Sequence, residues 1–248
     1  MWLRSDLLTS IGFPQHGFTM KDGGVSQGDF ASWNFSTSTG DSIENVQENY
    51  RLLAKRLDID FSRIFTIEQV HSNRVIEVTQ YEQITRTEQA DALISSLDAV
   101  VVGVKTADCV PILMADPISR TIAAIHAGWK GVVAKIVTHS FNRLKELHPN
   151  AEPYFAIGPH ILYEHFQVGS EVAELFPLHH QTDSSSPDRY LVDLQGAISS
   201  ELTNLGVPLN HIDFLNACTL SDEQNRFFSH RRTKGKCGRL FNFISNSK

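Results

Sequence analysis

Strand-like runs joined in hairpins, with helices interspersed irregularly, predict an α+β fold forming a single domain over residues 1–248. Three observations carry that prediction. Strand-length apolar runs outnumber helical ones. Several of them are apolar on both faces, so the sheet they build must be covered on both sides. Strands and helices also fail to alternate in the βαβ rhythm of a doubly wound sheet. At 248 residues, 41% hydrophobic and 20% charged, the chain can bury a sizeable core, and no repeat, heptad array or linker divides it.

The first helix is capped by Asp41 or Ser42 and carries Val46, Tyr50, Leu53 and Leu57 on one face. Strands are expected over Arg63–Val70, Val75–Val78 and Ala99–Val104. Two further runs, Val110–Met114 and Thr121–Ile125, flank Asp116-Pro117-Ile118-Ser119, where Asp followed by Pro suits a tight turn. An even-numbered loop centred between Pro117 and Ile118 pairs Ala115 with Arg120 and, in the same register, Cys109 with His126. A second helix follows Gly131 and carries Val133, Ile136, Val137, Ser140, Leu144 and Leu147, and Tyr154–Ile157 reads as a strand. The polar segment Gln181–Asp188 reads as a surface loop. A third helix carries Ile198, Leu202 and Leu205 and stops at Gly206. Ile212–Leu215, Phe227–Ser229 and Leu240–Ile244 complete the strands.

Composition excludes several classes. A net charge of −6 argues against general nucleic-acid binding, which needs a basic face. No run approaches the roughly 18 apolar residues of a membrane span, and Met1–Asp6 interrupts its apolar residues with charge, unlike a signal peptide. Three scattered cysteines, Cys109, Cys218 and Cys237, are too few for a disulfide framework and point to a reducing cytoplasm. Gly24-Val25-Ser26-Gln27-Gly28 matches the nucleophile-elbow pattern of serine hydrolases but lacks the preceding strand and following helix, so it reads as a glycine-rich turn. The zinc-deaminase signature, HxE with PCxxC, is absent.

The chemistry concentrates on the hairpin. Directly opposed residues share a face with Cβ atoms roughly 4.5–5.5 Å apart, close enough for Cys109 and His126 to bind one ion. His71, ending the run Ile64–Val70, is a third candidate. One Cys and two His hold a metal and leave a fourth position open, as catalytic sites do. The competing reading is a buried Cys and a hydrogen-bonded His with no metal. The run Arg231–Arg239 holds five of the 22 basic residues and supports two readings, a solvated loop or an anion site whose glycines free backbone N–H groups.

The runs His16-Gly17-Phe18-Thr19, Gly23-Gly24-Val25-Ser26, Gln69-Val70-His71, Ala90-Asp91-Ala92-Leu93, Thr106-Ala107-Asp108-Cys109-Val110-Pro111, His126-Ala127-Gly128-Trp129-Lys130-Gly131 and Ile157-Gly158-Pro159 resemble the YfiH-type family. That family is also called the polyphenol oxidase, laccase-domain or peptidoglycan-editing-factor family, and the resemblance spans His16 to about Arg239. It implies a four-layer αββα sandwich with mixed sheets, and a mononuclear zinc on His71, Cys109 and His126, with copper as the alternative ion. It also implies phosphorolysis of purine nucleosides with some deamination of adenosine, so the partners would be small-molecule nucleosides and phosphate. Peptidoglycan editing and copper-dependent phenol oxidation are the other roles attached to the family.

Within that frame Lys21, Lys130, Arg231 and Arg232 are candidate phosphate holders. Asp108, beside the Cys ligand, would orient a ligand, act as acid/base, or cap its own turn. Several positions depart from the usual pattern. Lys21 and Lys130 stand where Arg is common, His160 follows Ile-Gly-Pro where Cys is frequent, and His230 precedes Arg231-Arg232 in place of Tyr. Two rival functions remain: a cell-wall precursor hydrolase using Cys109 as nucleophile, and a non-catalytic metal-binding partner protein.

Overall fold

The computed structural model describes residues 2–81 and 88–247 and arranges them around two central sheets. The first has the strand order Trp2–Leu3, His16–Thr19, Leu240–Ser245, Val101–Thr106, Ile64–Phe65. The second runs Ile212–Phe214, Tyr154–Ile157, Val110–Asp116, Thr121–Ala127, Ala92–Ser95, Val75–Glu77. Both are mixed: their antiparallel pairs are joined by parallel ones at the edges, such as Val75–Glu77 with Ala92–Ser95. A small antiparallel sheet of Gln167–Gly169, Arg189–Val192 and Gln181–Asp183 lies beside them.

Period-two alternation builds the layers. Val102, Val104 and Ile244 of the first sheet meet Leu113, Ala115, Ile122 and Ala124 of the second in a dry interface. The opposite face of the first sheet presents Val101, Phe241 and Phe243 to the helix Ile43–Leu57, which offers Val46, Tyr50 and Leu53. On the far face of the second sheet, Ile112, Met114, Ala123 and Ile125 are covered by helices contributing Ile136, Val137, Leu144, Ile198 and Leu202. The order is helix, sheet, sheet, helix, as the family resemblance implies.

The capping chemistry follows the sequence. Ser42 accepts from Asn45 N–H at the first helix, and Asp193 accepts from Gly196 N–H at the helix Leu194–Asn204, which closes at Gly206 with φ +85°. The expected second helix is two, Trp129–Val133 and Ile136–Leu147, separated where Lys135 turns left-handed at φ 65°. The longer helix lacks a cap from its own chain segment. Glu201 replaces it, accepting from Thr138 N and Oγ1 at 2.8 and 2.7 Å.

Four other expectations change. Arg63–Val70 pairs as a strand only over Ile64–Phe65. Phe227–Ser229 is buried but unpaired, because Ser229 caps the short helix His230–Thr233. Gln181–Asp188 is a hairpin edge as far as Asp183 and not wholly a loop. The central hairpin turns one residue later than expected, pairing Asp116 with Thr121 and Pro111 with His126. Asp116 sets that turn by accepting Ser119 N and Oγ at 2.7 and 2.6 Å. Partners change by two residues, an even shift that leaves Cys109 and His126 on one face as diagonal neighbours.

Candidate metal centre

The ends of the two sheets open into a cavity of about 640 Å³, and His71, Cys109 and His126 line it together. His126 comes from the strand Thr121–Ala127, Cys109 immediately precedes Val110–Asp116, and His71 lies on the loop after Ile64–Phe65. One ligand atom from each lies within 4.8 Å of the others. Cys109 Sγ is 3.9 Å from His71 Nε2, and the two imidazoles meet edge to face with centroids 4.9 Å apart.

Asp91 fixes this arrangement. It is fully buried, and its carboxylate accepts His126 Nδ1–H at 2.8 Å, turning Nε2 toward the cavity. The same carboxylate accepts the backbone N–H groups of His71 at 3.0 Å and Ser72 at 2.5 Å, and the Ser72 hydroxyl at 2.8 Å. One side chain thus orients one imidazole directly and holds the loop bearing the other, where His71 sits at φ 60°. Gln69 fixes the loop's start, exchanging two 2.7 Å bonds with the backbone of Lys105. Burial opposes the Asp91 charge, but the His126 and Ser72 bonds hold its carboxyl below the usual range.

Burial likewise pushes the Cys109 thiol up, and the charge of His126 with hydrogen bonds from both histidines overcomes it, bringing the thiol down to about 6. His126 is opposed by burial and pushed up to about 9 by Cys109 and Asp91. The pair therefore favours thiolate and imidazolium. Gly128 supplies the space: a Cβ there would stand 2.9 Å from His71 Cδ2 and 3.0 Å from Cys109 Sγ. A thiolate, two imidazoles, a carboxylate behind one of them and a glycine-kept void fit a metal ion with an open position.

The other candidates separate. Arg231 lines the cavity, whereas Lys21, Lys130 and Arg232 lie outside its lining. Lys130 is exposed with its ammonium 5.5 Å from the Trp129 ring centroid. The Arg232 guanidinium bonds the carbonyls of Thr219 (2.7 Å) and Leu220 and the Asn225 side chain. Asp108 lines the cavity, but its oxygens accept Thr219 Oγ1 at 2.5 Å and Arg231 N–H at 2.7 Å, so it ties distant segments and does not cap its own turn. His160 is buried, with Nδ1–H donating to Gly158 O at 2.8 Å and Nε2 without a hydrogen-bond partner among the described residues. Burial lowers its pKa, and it stands outside the cavity lining. Ser26 of the rejected elbow pattern is buried and accepts from Asn49 Nδ2 at 2.9 Å. Sequence reasoning missed Asp91, Gly128 and Lys105 as site residues, and held Arg239 only as the end of the basic run Arg231–Arg239. A lone acid inside the apolar run Ala90–Leu93 was the available signal for Asp91.

The family model described as multi-copper polyphenol oxidoreductase laccase matches residues 15–247. The chain belongs to that family. As a member, it is 33% identical over 243 residues to "Purine nucleoside phosphorylase YlmD" of Geobacillus stearothermophilus, covering 92% of this chain and 88% of that protein. It is 32% identical to "Purine nucleoside phosphorylase YfiH" of Escherichia coli over 227 residues, 90% of this chain and 89% of the other. The crystal structure of YlmD from Geobacillus stearothermophilus superposes with a TM-score of 0.86 at 32% identity, covering 94% of this chain and 92% of that one. No helix among the described residues is long and apolar enough to cross a membrane.

Proposed function

We propose that this family member is a zinc-dependent purine nucleoside phosphorylase, acting on adenosine, inosine, guanosine or methylthioadenosine, with adenosine deamination as a side activity. The observation that carries the reading is one cavity whose lining combines the His71–Cys109–His126 set with an apolar wall and a cationic one. Trp129, Ile161, Phe166 and Leu194 are the apolar wall, whose aromatic rings suit the flat face of a purine. Lys105 and Arg239 are the cationic wall, and Arg231 adds positive charge beside Phe166, in a protein of net charge −6. The names of the relatives support the same reaction class.

In phosphorolysis a phosphate oxygen bonds the ribose anomeric carbon as the N-glycosidic bond breaks, and the bonding pair leaves with the base. The products are free base and ribose 1-phosphate. A bound zinc ion supplies Lewis acidity toward the departing base and toward water. His71, Cys109 and His126 would hold it, with Asp91 keeping the His126 tautomer that offers Nε2. The cationic wall holds the phosphate dianion against the protein's net charge, and the apolar wall positions the base and excludes water. The decisive experiment assays metal-analysed protein on a nucleoside panel with and without phosphate. Free base should appear with ribose 1-phosphate and only with phosphate; equal base release without it would sink the phosphorylase reading.

A second reading has its own observation. Cys109, His126 and Asp91 form a thiolate–imidazolium–carboxylate series, with the thiol down to about 6. That series also suits a cysteine nucleophile acting on a cell-wall precursor. Rapid alkylation of Cys109 in protein as isolated, with no zinc bound, would favour it.

A further inference from the structure

We propose that the attacking phosphate sits against the wall formed by Thr37, Ser38, Lys105 and Arg239, and that Arg231 positions the facing aromatic wall. The inference rests on the phosphorylase reading and adds which cation does what.

The two arginines differ in what surrounds them. Arg239 has its backbone locked, its N–H donating to Asn34 Oδ1 at 2.8 Å and its carbonyl accepting Phe35 N–H at 3.1 Å. Its Nη1 donates to the carbonyls of Cys237 and Gly238 at 2.9 and 3.0 Å. Those bonds aim the guanidinium and leave Nε and Nη2 with no partner among the described residues. Arg239 joins none of the ion pairs found among them. Lys105 is the strand partner of Phe241, two residues beyond Arg239, and both cations line the cavity, with Lys105 Nζ anchored by donating to Ile67 O at 2.8 Å.

Thr37 and Ser38 line the cavity and are exposed to it. Their segment is pinned by Asn34, whose Nδ2 donates to Ser36 O and Asp41 Oδ2, both at 2.9 Å, while Ser38 Oγ pairs with Ser36 Oγ at 2.8 Å. Asn34 therefore holds the Arg239 backbone and the hydroxyl segment at once. Two cations and two hydroxyls lining one cavity match a phosphate, which accepts several hydrogen bonds and carries nearly two charges.

Arg231 stands elsewhere. Its Nη1 donates to Gln167 O at 2.9 Å, its guanidinium carbon lies 5.7 Å from the Phe166 ring centroid, and its backbone N–H binds Asp108. It links the segment beside Cys109 to the segment bearing Phe166, the wall assigned to the base.

The test uses the full, zinc-loaded chain with inorganic phosphate as probe, measured by titration calorimetry and by separate KM values for phosphate and inosine. Arg239→Ala should weaken phosphate binding and raise the phosphate KM roughly tenfold or more, with the inosine KM nearly unchanged. Ser38→Ala, a small change on an exposed turn, should raise the phosphate KM a few-fold and guards against misfolding of the arginine variant. Arg231→Ala should raise the inosine KM more than the phosphate KM. Unchanged phosphate binding in both Arg239→Ala and Ser38→Ala overturns the assignment, as does a larger phosphate defect in Arg231→Ala. Loss of phosphate binding in Arg239→Ala, with no nucleoside cleaved by wild type, would leave the subsite standing and remove the phosphorylase reading.

Discussion

The metal centre and the cationic wall share a cavity but are built on opposite principles. His126 and Cys109 are short side chains at the ends of central strands, where sheet register decides which way each points. Asp91 then removes the remaining freedom of His126 and of the His71 loop with buried hydrogen bonds. Lys105, Arg231 and Arg239 are long side chains, and each cationic group is directed by the backbone carbonyls it bonds: Ile67 for Lys105, Gln167 for Arg231, Cys237 and Gly238 for Arg239. Backbone geometry preorganises the first region; side-chain partners organise the second. The first should therefore respond to substitution steeply and as a unit, the second residue by residue.

Removing a ligand should give the largest effect. Cys109→Ser, His71→Ala or His126→Ala should each strip most of the metal and lower turnover by at least a hundredfold, because three ligands bind one ion as a unit. Elemental analysis with kinetics checks this, and full metal occupancy in Cys109→Ser would break the comparison outright. Asp91 comes next. Asp91→Asn should weaken metal binding by about 10- to 100-fold through the imidazole it orients. Asp91→Ala should also destabilise the fold by roughly 3–5 kcal/mol, since buried donors lose their charged acceptor. Denaturant unfolding alongside metal titration separates the two effects.

The same contrast explains how much was legible in the sequence. The pairing of Cys109 with His126 was readable because alternation and a turn signal at Asp116-Pro117 place them on one face, and an even register error preserves that face. His71 rested instead on the end of another apolar run and on the family resemblance. The turn position itself was not readable, since it depends on Asp116 bonding Ser119 in three dimensions. Core strands and capped helices were legible for the same local reasons, whereas the break at Lys135 was hidden because its compensating cap, Glu201, lies 63 residues from Thr138. Phe227-Phe228 looked like a strand because burial alone produces an apolar run, with or without a pairing partner. The direction of an arginine on a turn is set by distant carbonyls, so the residue type was visible and its target was not.

Two smaller effects sharpen the comparison. In metal-free protein, alkylation of Cys109 should rise with pH and reach half its limit near 6, because the thiolate forms as pH passes the lowered pKa. Zinc should suppress the reaction at every pH. A half-point near the ordinary thiol value would mean that His126 and His71 do not stabilise the thiolate. Gly128→Ala should weaken metal binding several-fold without unfolding the protein. Its methyl group would press on His71 and Cys109, and the exposed His71 ring can move aside.

The smallest effect is expected at the lysines that sequence alone proposes for phosphate. Lys130 and Lys21 lie outside the cavity lining, and Lys130 is exposed, with its ammonium 5.5 Å from the Trp129 ring centroid. A solvent-exposed charge that makes no direct contact with its target is weakened by screening at ordinary ionic strength. Lys130→Ala and Lys21→Ala should therefore change the phosphate KM by less than about twofold at physiological salt. At low salt the Lys130 effect should grow modestly, as a long-range contribution does when screening weakens. Arg239→Ala, a contact, should keep most of its defect under both conditions. Steady-state kinetics at two salt concentrations decide the matter: a Lys130→Ala defect that matched Arg239→Ala and resisted salt would place the phosphate on the helix Trp129–Val133 and undo the division of the cavity into two walls.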